Sequence, residues 1–475
     1  MTHGLSELPA ITYISSPTMN LFDPADRRAV HYVGIGGAGM SALALIACRR
    51  GVVVTGCDTD PTGAAGLADL GVRLLQGHDP AHLDGARAVV ATAAVPGNHP
   101  ELVRARELGL PVVPRKEALA ALIAGARSVG VAGTHGKTTT TVMATEALRA
   151  SGLAPTGIAG GRVASWGGNA WIGGDDLFVV EADEFDKAFL TLHPTVAVVN
   201  NVEPDHLECY GSMAALEDAF VEFAGRAGTT IVCADDPGAR SVGDRVSGTV
   251  RRFGLAEDAD IRITDPVQRA TGTVATVSWR SGPSVKVRLS VPGLHNLRNA
   301  VAALAVVELL GGSLESAVNA LGEFQGVGRR FERLGEHGGV AVVDDYAHHP
   351  SELAATLSAA RQAFPGRRLV AVFQPHLFSR TALHGSAMGR ALAAADLVIV
   401  TEIYAAREQP LPGVSGAQVA AAAAQAGADA RFEPTRADLG RRVFEVLRPG
   451  DVVLTLGAGD ITRVSAELVR WLSAA

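Results

Sequence analysis

Val129-Gly130-Val131-Ala132-Gly133-Thr134-His135-Gly136-Lys137-Thr138-Thr139-Thr140 joins a short apolar run to a turn rich in glycine and threonine, and its reading decides the fold. An apolar strand feeding a helix through such a turn lets backbone N–H groups crowd around phosphate oxygens, with the positive end of the helix behind them. Lys137 is expected on the β/γ-phosphates of ATP and the Thr138 hydroxyl on Mg²⁺, with Gly133, Thr134, His135, Gly136 and Thr139 completing the cradle. Val131 stands where the full phosphate-loop pattern has its first glycine, so the match is to the short form GxxGKT. The plain alternative is a tight turn with an incidental lysine.

Outward from this loop the pattern is strand then helix, repeated. Apolar strands are read at 30–34, 52–57, 88–93 and 112–113, with helices at 36–50, 101–108 and 116–124. A second series has strands at 128–133, 177–182, 196–201 and 230–234. Residues 260–291 alternate apolar and polar, which predicts an antiparallel insert before a helix at 296–310. A third series has strands at 340–344, 369–373, 397–401 and 452–456. The expected fold class is therefore α/β, with three domains in sequence and no fixed-period repeat. The boundaries are a flexible tail at 1–28, then domains at 29–127, 128–330 and 331–475.

Composition narrows the function. The 475 residues are 47% hydrophobic and 19% charged, with a net charge of −7 and no basic block, which excludes nucleic acid as a main partner. Cys48, Cys57, Cys209 and Cys233 are scattered without a CxxC pair, arguing against a disulfide framework and against zinc. The first 28 residues have no basic and apolar signal pattern, and no run reaches the ~18 apolar residues of a membrane helix. A cytoplasmic protein without a membrane partner is expected, as a monomer or weak homodimer. The basic residues are nearly all arginine; Lys116, Lys137, Lys187 and Lys286 are the lysines.

Two acidic strand ends follow the loop. EADE (181–184) and NNVEPDH (200–206) close apolar runs, and strand ends on one side of a parallel sheet converge where ligands bind. Glu181 and His206 are expected to share the magnesium ion with Thr138. Asp183 and Glu184 read equally well as caps of the next helix. Near the N-terminus, HYVGIGGAGM (31–40) matches GxGxxG after a strand, with Asp58 19 residues beyond Gly39. That is the signature of a dinucleotide site and of an NAD-dependent dehydrogenase, yet a nucleotide-sugar presents the same diphosphate. In the third block, DDYAHHP (344–350) and FQPHLFSRT (373–381) set His348, His349 and Arg380 at strand ends, where substrate contacts are commoner than core packing.

These segments resemble the Mur ligase family. The motifs that carry the resemblance are HYVGIGGAGMSALA (31–44), GTHGKTTTT (133–141), EADEFDKAFL (181–190), NNVEPDHLECYG (200–211), GLHNLRNAVAA (293–303), GVGRRFE (326–332), DDYAHHP, FQPHLFSRT and GAGDI (457–461). The resemblance implies a Rossmann-like domain for a uridine diphosphate sugar, a central ATPase domain with an antiparallel insert, and a Rossmann-like C-terminal domain. It implies that ATP phosphorylates the lactyl carboxylate of UDP-N-acetylmuramate and that L-alanine attacks the acyl phosphate. A sister activity, transfer of a preformed tripeptide, is the alternative.

By the same resemblance, Gly34, Gly36, Gly37, Ala38, Gly39, Met40 and Asp58 hold the uridine diphosphate, with Asn98 and Glu101 on its far side. Asn296 and Asn299 contact adenine, Asp345 the ribose, and Arg330 the phosphates as the third domain closes. Tyr346, His348 and Arg380 lie by the muramyl and alanine carboxylates. Two departures stand out. Leu377 occupies a position where the family usually has arginine, and no lysine lies between Lys187 and Lys286, so a carbamylated lysine bridging to magnesium has no candidate there.

Overall fold

The computed structural model describes residues 20–406 and 408–474, so most of the expected tail lies outside the described residues. Leu21 and Phe22 are buried, and the Arg87 guanidinium donates to the Leu21 and Asp23 carbonyls at 3.1 and 2.9 Å.

The chain divides into two compact units. The first runs through Val232 and takes in Asp236–Arg251; the second holds Cys233–Asp235 and runs on from Arg252. The first unit opens with a five-stranded sheet of β1 (Ala29–Val33), β2 (Val54–Asp58), β3 (Arg73–Gln76), β4 (Ala86–Ala91) and β5 (Val112–Pro114), in the order β3-β2-β1-β4-β5. All neighbours pair in parallel. The order reverses between β1 and β4, so the turn after β1 opens at the crevice where such sheets bind ligands. Around it pack α1 (Ala38–Arg49), α2 (Pro100–Glu107) and α3 (Arg115–Ile123).

The same unit continues with β6 (Arg127–Ala132), α4 (Lys137–Ala150), β7 (Thr156–Val163), β8 (Gly168–Trp171), β9 (Leu177–Glu181), β10 (Val196–Val199) and β11 (Thr229–Cys233). Their order is β11-β10-β6-β9-β7-β8. β6 pairs in parallel on both sides, with Val131 opposite Glu181 and Ala132 opposite Val199. That register brings three strand ends to one level. Strands covered on both faces must be apolar throughout, and β9 and β10 are buried along nearly their whole length.

Four threonines follow Lys137 in α4, although β-branched residues are mediocre helix formers. Burial holds the helix instead: Thr140, Thr141 and Thr145 are inaccessible, and the Thr145 hydroxyl returns its proton to the Thr141 carbonyl at 2.8 Å.

The second unit carries the antiparallel meander β13 (Ile261–Arg269), β14 (Gly272–Trp279) and β15 (Ser284–Leu289), entered from β12 (Thr249–Gly254). After it come a buried helix at Leu294–Leu309 and a six-stranded sheet. This sheet holds β16 (Glu332–His337), β17 (Val340–Asp345), β18 (Leu369–Phe373), β19 (Leu397–Val400), β20 (Asp429–Phe432) and β21 (Val452–Leu456), in the order β16-β17-β21-β18-β19-β20. The insert and that helix, expected as part of a domain at 128–330, thus fall in the second unit. Of the strands that the sequence pattern passed over, β7 and β12 are interior, while β3, β8, β16 and β20 lie at sheet edges. Exposed on one side, they lack the apolar run that marks a central strand.

Candidate active site

The phosphate loop is built by strand register and clamped by amides. Gly133 has φ +139°, and a side chain there would stand 3.1 Å from the Asn200 Cβ, so only glycine fits. The Asn201 side chain accepts from the His135 N–H at 2.7 Å and donates to the His135 carbonyl at 3.2 Å. The Thr134 N–H reaches the Asn201 carbonyl at 3.1 Å, the Thr134 hydroxyl accepts from the Glu203 N–H at 2.8 Å, and the Asn200 amide donates to Thr140 at 2.9 Å. The loop is therefore pinned to the end of β10. Gly136, left-handed at φ +79°, starts α4, whose first-turn N–H groups have no acceptor within the helix.

Lys137 lies across this loop. Its Nζ donates to the Gly133 carbonyl at 2.7 Å and to both carboxylate oxygens of Glu184 at 2.8 and 2.7 Å. Burial disfavours the ammonium charge, but Glu184 and then Asp183 outweigh it, and the lysine is held above its ordinary range. Glu184, which reads in the sequence as a possible helix cap, is instead the buried counter-ion of Lys137.

Thr138 and Glu181 come together as expected, the hydroxyl donating to the carboxylate. The Gly160 N–H also donates to Glu181, and a Cβ on Gly160 would stand 2.8 Å from Glu181 Oε2. Gly160 had no signal in the sequence, because its role depends on β7 pairing beside β9. Burial raises the Glu181 pKa despite these bonds and the nearby Lys137. His206, at φ +51°, sits edge-on to Phe185 and acts electrostatically on Glu184. Two hard oxygen donors side by side suit magnesium.

The Gly34 loop is braced from β2: Asp58 accepts from the Gly36 and Asp60 N–H groups, both at 2.9 Å. Gly34, Gly37, Ala38 and Gly39 form the turn into α1 (Gly37 is its N-cap), while the Met40 side chain is buried beneath it. Arg115, missed by the motif reading, lies against this turn, its Nη1 2.9 Å from where a Gly39 Cβ would be. Asn98 is exposed. Glu101 is expected with Asn98 on the far side of the uridine diphosphate. It is fully buried, accepting from Cys57, from His82 at 2.8 Å and from the Asp79 N–H at 3.2 Å.

Within the second unit a cationic and aromatic cluster gathers Arg330, Tyr346, His348, His376 and Arg380. The guanidinium of Arg330 stands over the Tyr346 ring, 4.9 Å from its centroid. His348 Nδ1 is 2.8 Å from the Tyr346 carbonyl, and Arg380, 6% exposed, is 3.2 Å from His376 Nδ1. Asp345 accepts from the Phe331 and Ala347 N–H groups, both at 2.7 Å, and burial raises its pKa to about 6. Asn296 and Asn299 are buried in the first turns of Leu294–Leu309, with the Asn296 amide donating to the Pro292 carbonyl at 2.7 Å. Leu377 is buried at φ +69° as the N-cap of Phe378–Leu392.

Three family descriptions match in chain order: Mur ligase family, catalytic domain, over residues 29–127; Mur ligase middle domain over 131–307; and Mur ligase, glutamate ligase domain, over 329–459. The chain belongs to the Mur ligase family, and it is a three-domain α/β ligase.

Among individual relatives, the UDP-N-acetylmuramate--L-alanine ligase of Cutibacterium acnes is 46% identical over 463 residues, which is 96% of this chain and 98% of the relative. The solved UDP-N-acetylmuramate-alanine ligase of Thermotoga maritima superposes with TM-score 0.79 at 30% identity, over 94% of this chain and all of that one. A murein peptide ligase from Psychrobacter arcticus superposes with TM-score 0.72 at 25% identity, over 94% and 99%.

Proposed function

We infer that this protein is an ATP-dependent ligase that joins L-alanine to the lactyl carboxylate of UDP-N-acetylmuramate, releasing ADP and phosphate, in cytoplasmic synthesis of a peptidoglycan precursor. The observation that carries the reading is the phosphate loop with Lys137 drawn across it, in a chain 46% identical over nearly its whole length to a ligase of that name. A carboxylate is a poor electrophile until one oxygen becomes a good leaving group. Bringing it to the γ-phosphate sets two anions together, and Lys137 with the first-turn N–H groups of α4 offsets that repulsion. Magnesium, held by Thr138, Glu181 and His206, would supply Lewis-acid neutralisation of the phosphate charge.

Gly34 to Gly39, with Arg115, take the uridine diphosphate. Asn296, Asn299 and Asp345 take the nucleoside of ATP, and Arg330 its phosphates. His348, as a hydrogen-bond partner, and Arg380, as a cation, take the muramyl and alanine carboxylates, and the buried Leu377 leaves that work to them. No helix among the described residues is long and apolar enough to cross a membrane, in keeping with cytoplasmic substrates.

The test is phosphate release and amide formation with UDP-N-acetylmuramate, ATP and, separately, L-alanine, glycine, L-serine or the stem tripeptide. Turnover greatest with L-alanine is expected. Silence with L-alanine and turnover with the tripeptide would move the chain to the sister activity.

A further inference from the structure

Beneath the Gly34 loop, inside the first domain, the fold gathers six side chains that the ligase reaction does not use. His31 comes from β1, Cys57 from β2, His78 and His82 from the segment after β3, and His99 and Glu101 from the start of α2. Cys57 Sγ lies 3.1 and 3.0 Å from the two Glu101 oxygens. His82 Nδ1 is 2.8 Å and His31 Nε2 3.9 Å from Glu101 Oε1. The ligand atoms of His31, Cys57, His82 and Glu101 all lie within 4.8 Å of one another.

We propose that His31, Cys57, His82 and Glu101 form a binding site for one zinc-class divalent ion. Donor atoms around a tetrahedral ion with Zn–N near 2.0 Å and Zn–S near 2.3 Å stand about 3.3–3.6 Å apart; the contacts to Glu101, at 2.8–3.9 Å, straddle that spacing, and the widest separations, at most 4.8 Å, close by about 1 Å. Thiolate and imidazole donors select zinc over magnesium. One thiolate, one carboxylate and two neutral imidazoles balance a dication to zero, which a buried site requires.

The histidine geometry points the same way. His31 is fully buried, and its Nδ1 bonds the Thr55 hydroxyl at 2.8 Å. That leaves Nε2 aimed at Glu101 with no hydrogen-bond partner. A hydrogen bond that holds one ring nitrogen and turns the other to the ion is how metal-binding histidines are oriented. His78 Nδ1, 3.3 Å from Cys57 Sγ and 3.4 Å from Glu101 Oε2, stands at the outer edge, its side chain 24% exposed, and marks the way in.

Binding replaces the Cys57 S–H bond by S–metal, and the thiol proton leaves to solvent. His82, whose Nδ1 faces Glu101, carries its proton on Nε2 once the ion is bound. The ion would tie β1 and β2 to the start of α2 directly under the diphosphate loop.

The test is titration of the metal-free full-length chain with Co²⁺, then Zn²⁺, without nucleotide, so that it stands or falls apart from the ligase reading. Expected are about one ion and one released proton per chain, with a thiolate-to-cobalt charge-transfer band in the near ultraviolet. Cys57→Ser should abolish the band, and His78→Ala should weaken binding about 10- to 100-fold. His82→Ala, checked like the others for native circular dichroism, should reduce affinity as Cys57→Ser does. Absence of stoichiometric binding, or a cobalt spectrum indifferent to both Cys57→Ser and His82→Ala, would overturn the site.

Discussion

Lys137 Nζ touches both oxygens of Glu184, at 2.8 and 2.7 Å, with Glu184 2% exposed and Lys137 16%. The cation proposed to bind phosphate is thus neutralised by a buried carboxylate. Glu184→Gln leaves the lysine charge without its partner and should cost about 3 kcal/mol of stability. Mg-ATP brings an anion back to the same place, so its stabilising effect on Tm should be larger in the variant than in the parent. A smaller effect would mean that Glu184 aims the lysine rather than competing for it.

The two nucleotide sites should separate by mutation. Lys137→Ala is expected to abolish ligation while leaving uridine diphosphate binding nearly intact, because that site is built on β1, β2 and α3. Arg115→Ala should do the reverse in a calorimetric titration, weakening uridine diphosphate about tenfold with little change for the uridine monophosphate. Loss of both sites in the Lys137 variant would refute the separation.

Gly160 leaves room for Glu181. In Gly160→Ala the new methyl would meet Glu181 Oε2 at 2.8 Å, and the carboxylate, a flexible end, should swing away from Thr138. The magnesium concentration needed for half-maximal activity should rise about tenfold, with the rate at saturating magnesium mostly retained. An unchanged magnesium dependence would remove Glu181 from the ion.

Asp345 makes stability fall with pH. Burial raises its pKa to about 6 against the pull of Arg330, while an unfolded aspartate titrates near 3.9. Between these values the folded state holds more protons than the unfolded one. The contribution is full below about pH 4 and is lost as pH rises through about 6, a change of about 3 kcal/mol. Asp345→Asn loses one acceptor for the Phe331 and Ala347 N–H groups, so the protein should be weaker overall, with this slope flattened. Urea unfolding across that range measures it.

Read alone, the sequence determined what local chemistry can encode. The strand into Gly133–Lys137, the glycine turn at Gly34–Gly39 and the central apolar strands need neighbours only a few residues away, and they stand where the pattern puts them. The pairing of Thr138 with Glu181 was also readable, because acidic residues close a buried parallel strand. Tertiary structure alone decided what depends on register between distant strands. It turned Glu184 from a cap into the partner of Lys137, placed Gly160 against Glu181, and swung Arg115 onto the Gly39 turn. It turned Glu101 inward, and it gathered His31, Cys57 and His82 from separate elements around it. The scattered cysteines argued against zinc because ligand spacing along the chain is a local signal. A cluster assembled from β1, β2 and the start of α2 has no spacing to read, since the sheet, not the chain, sets those distances.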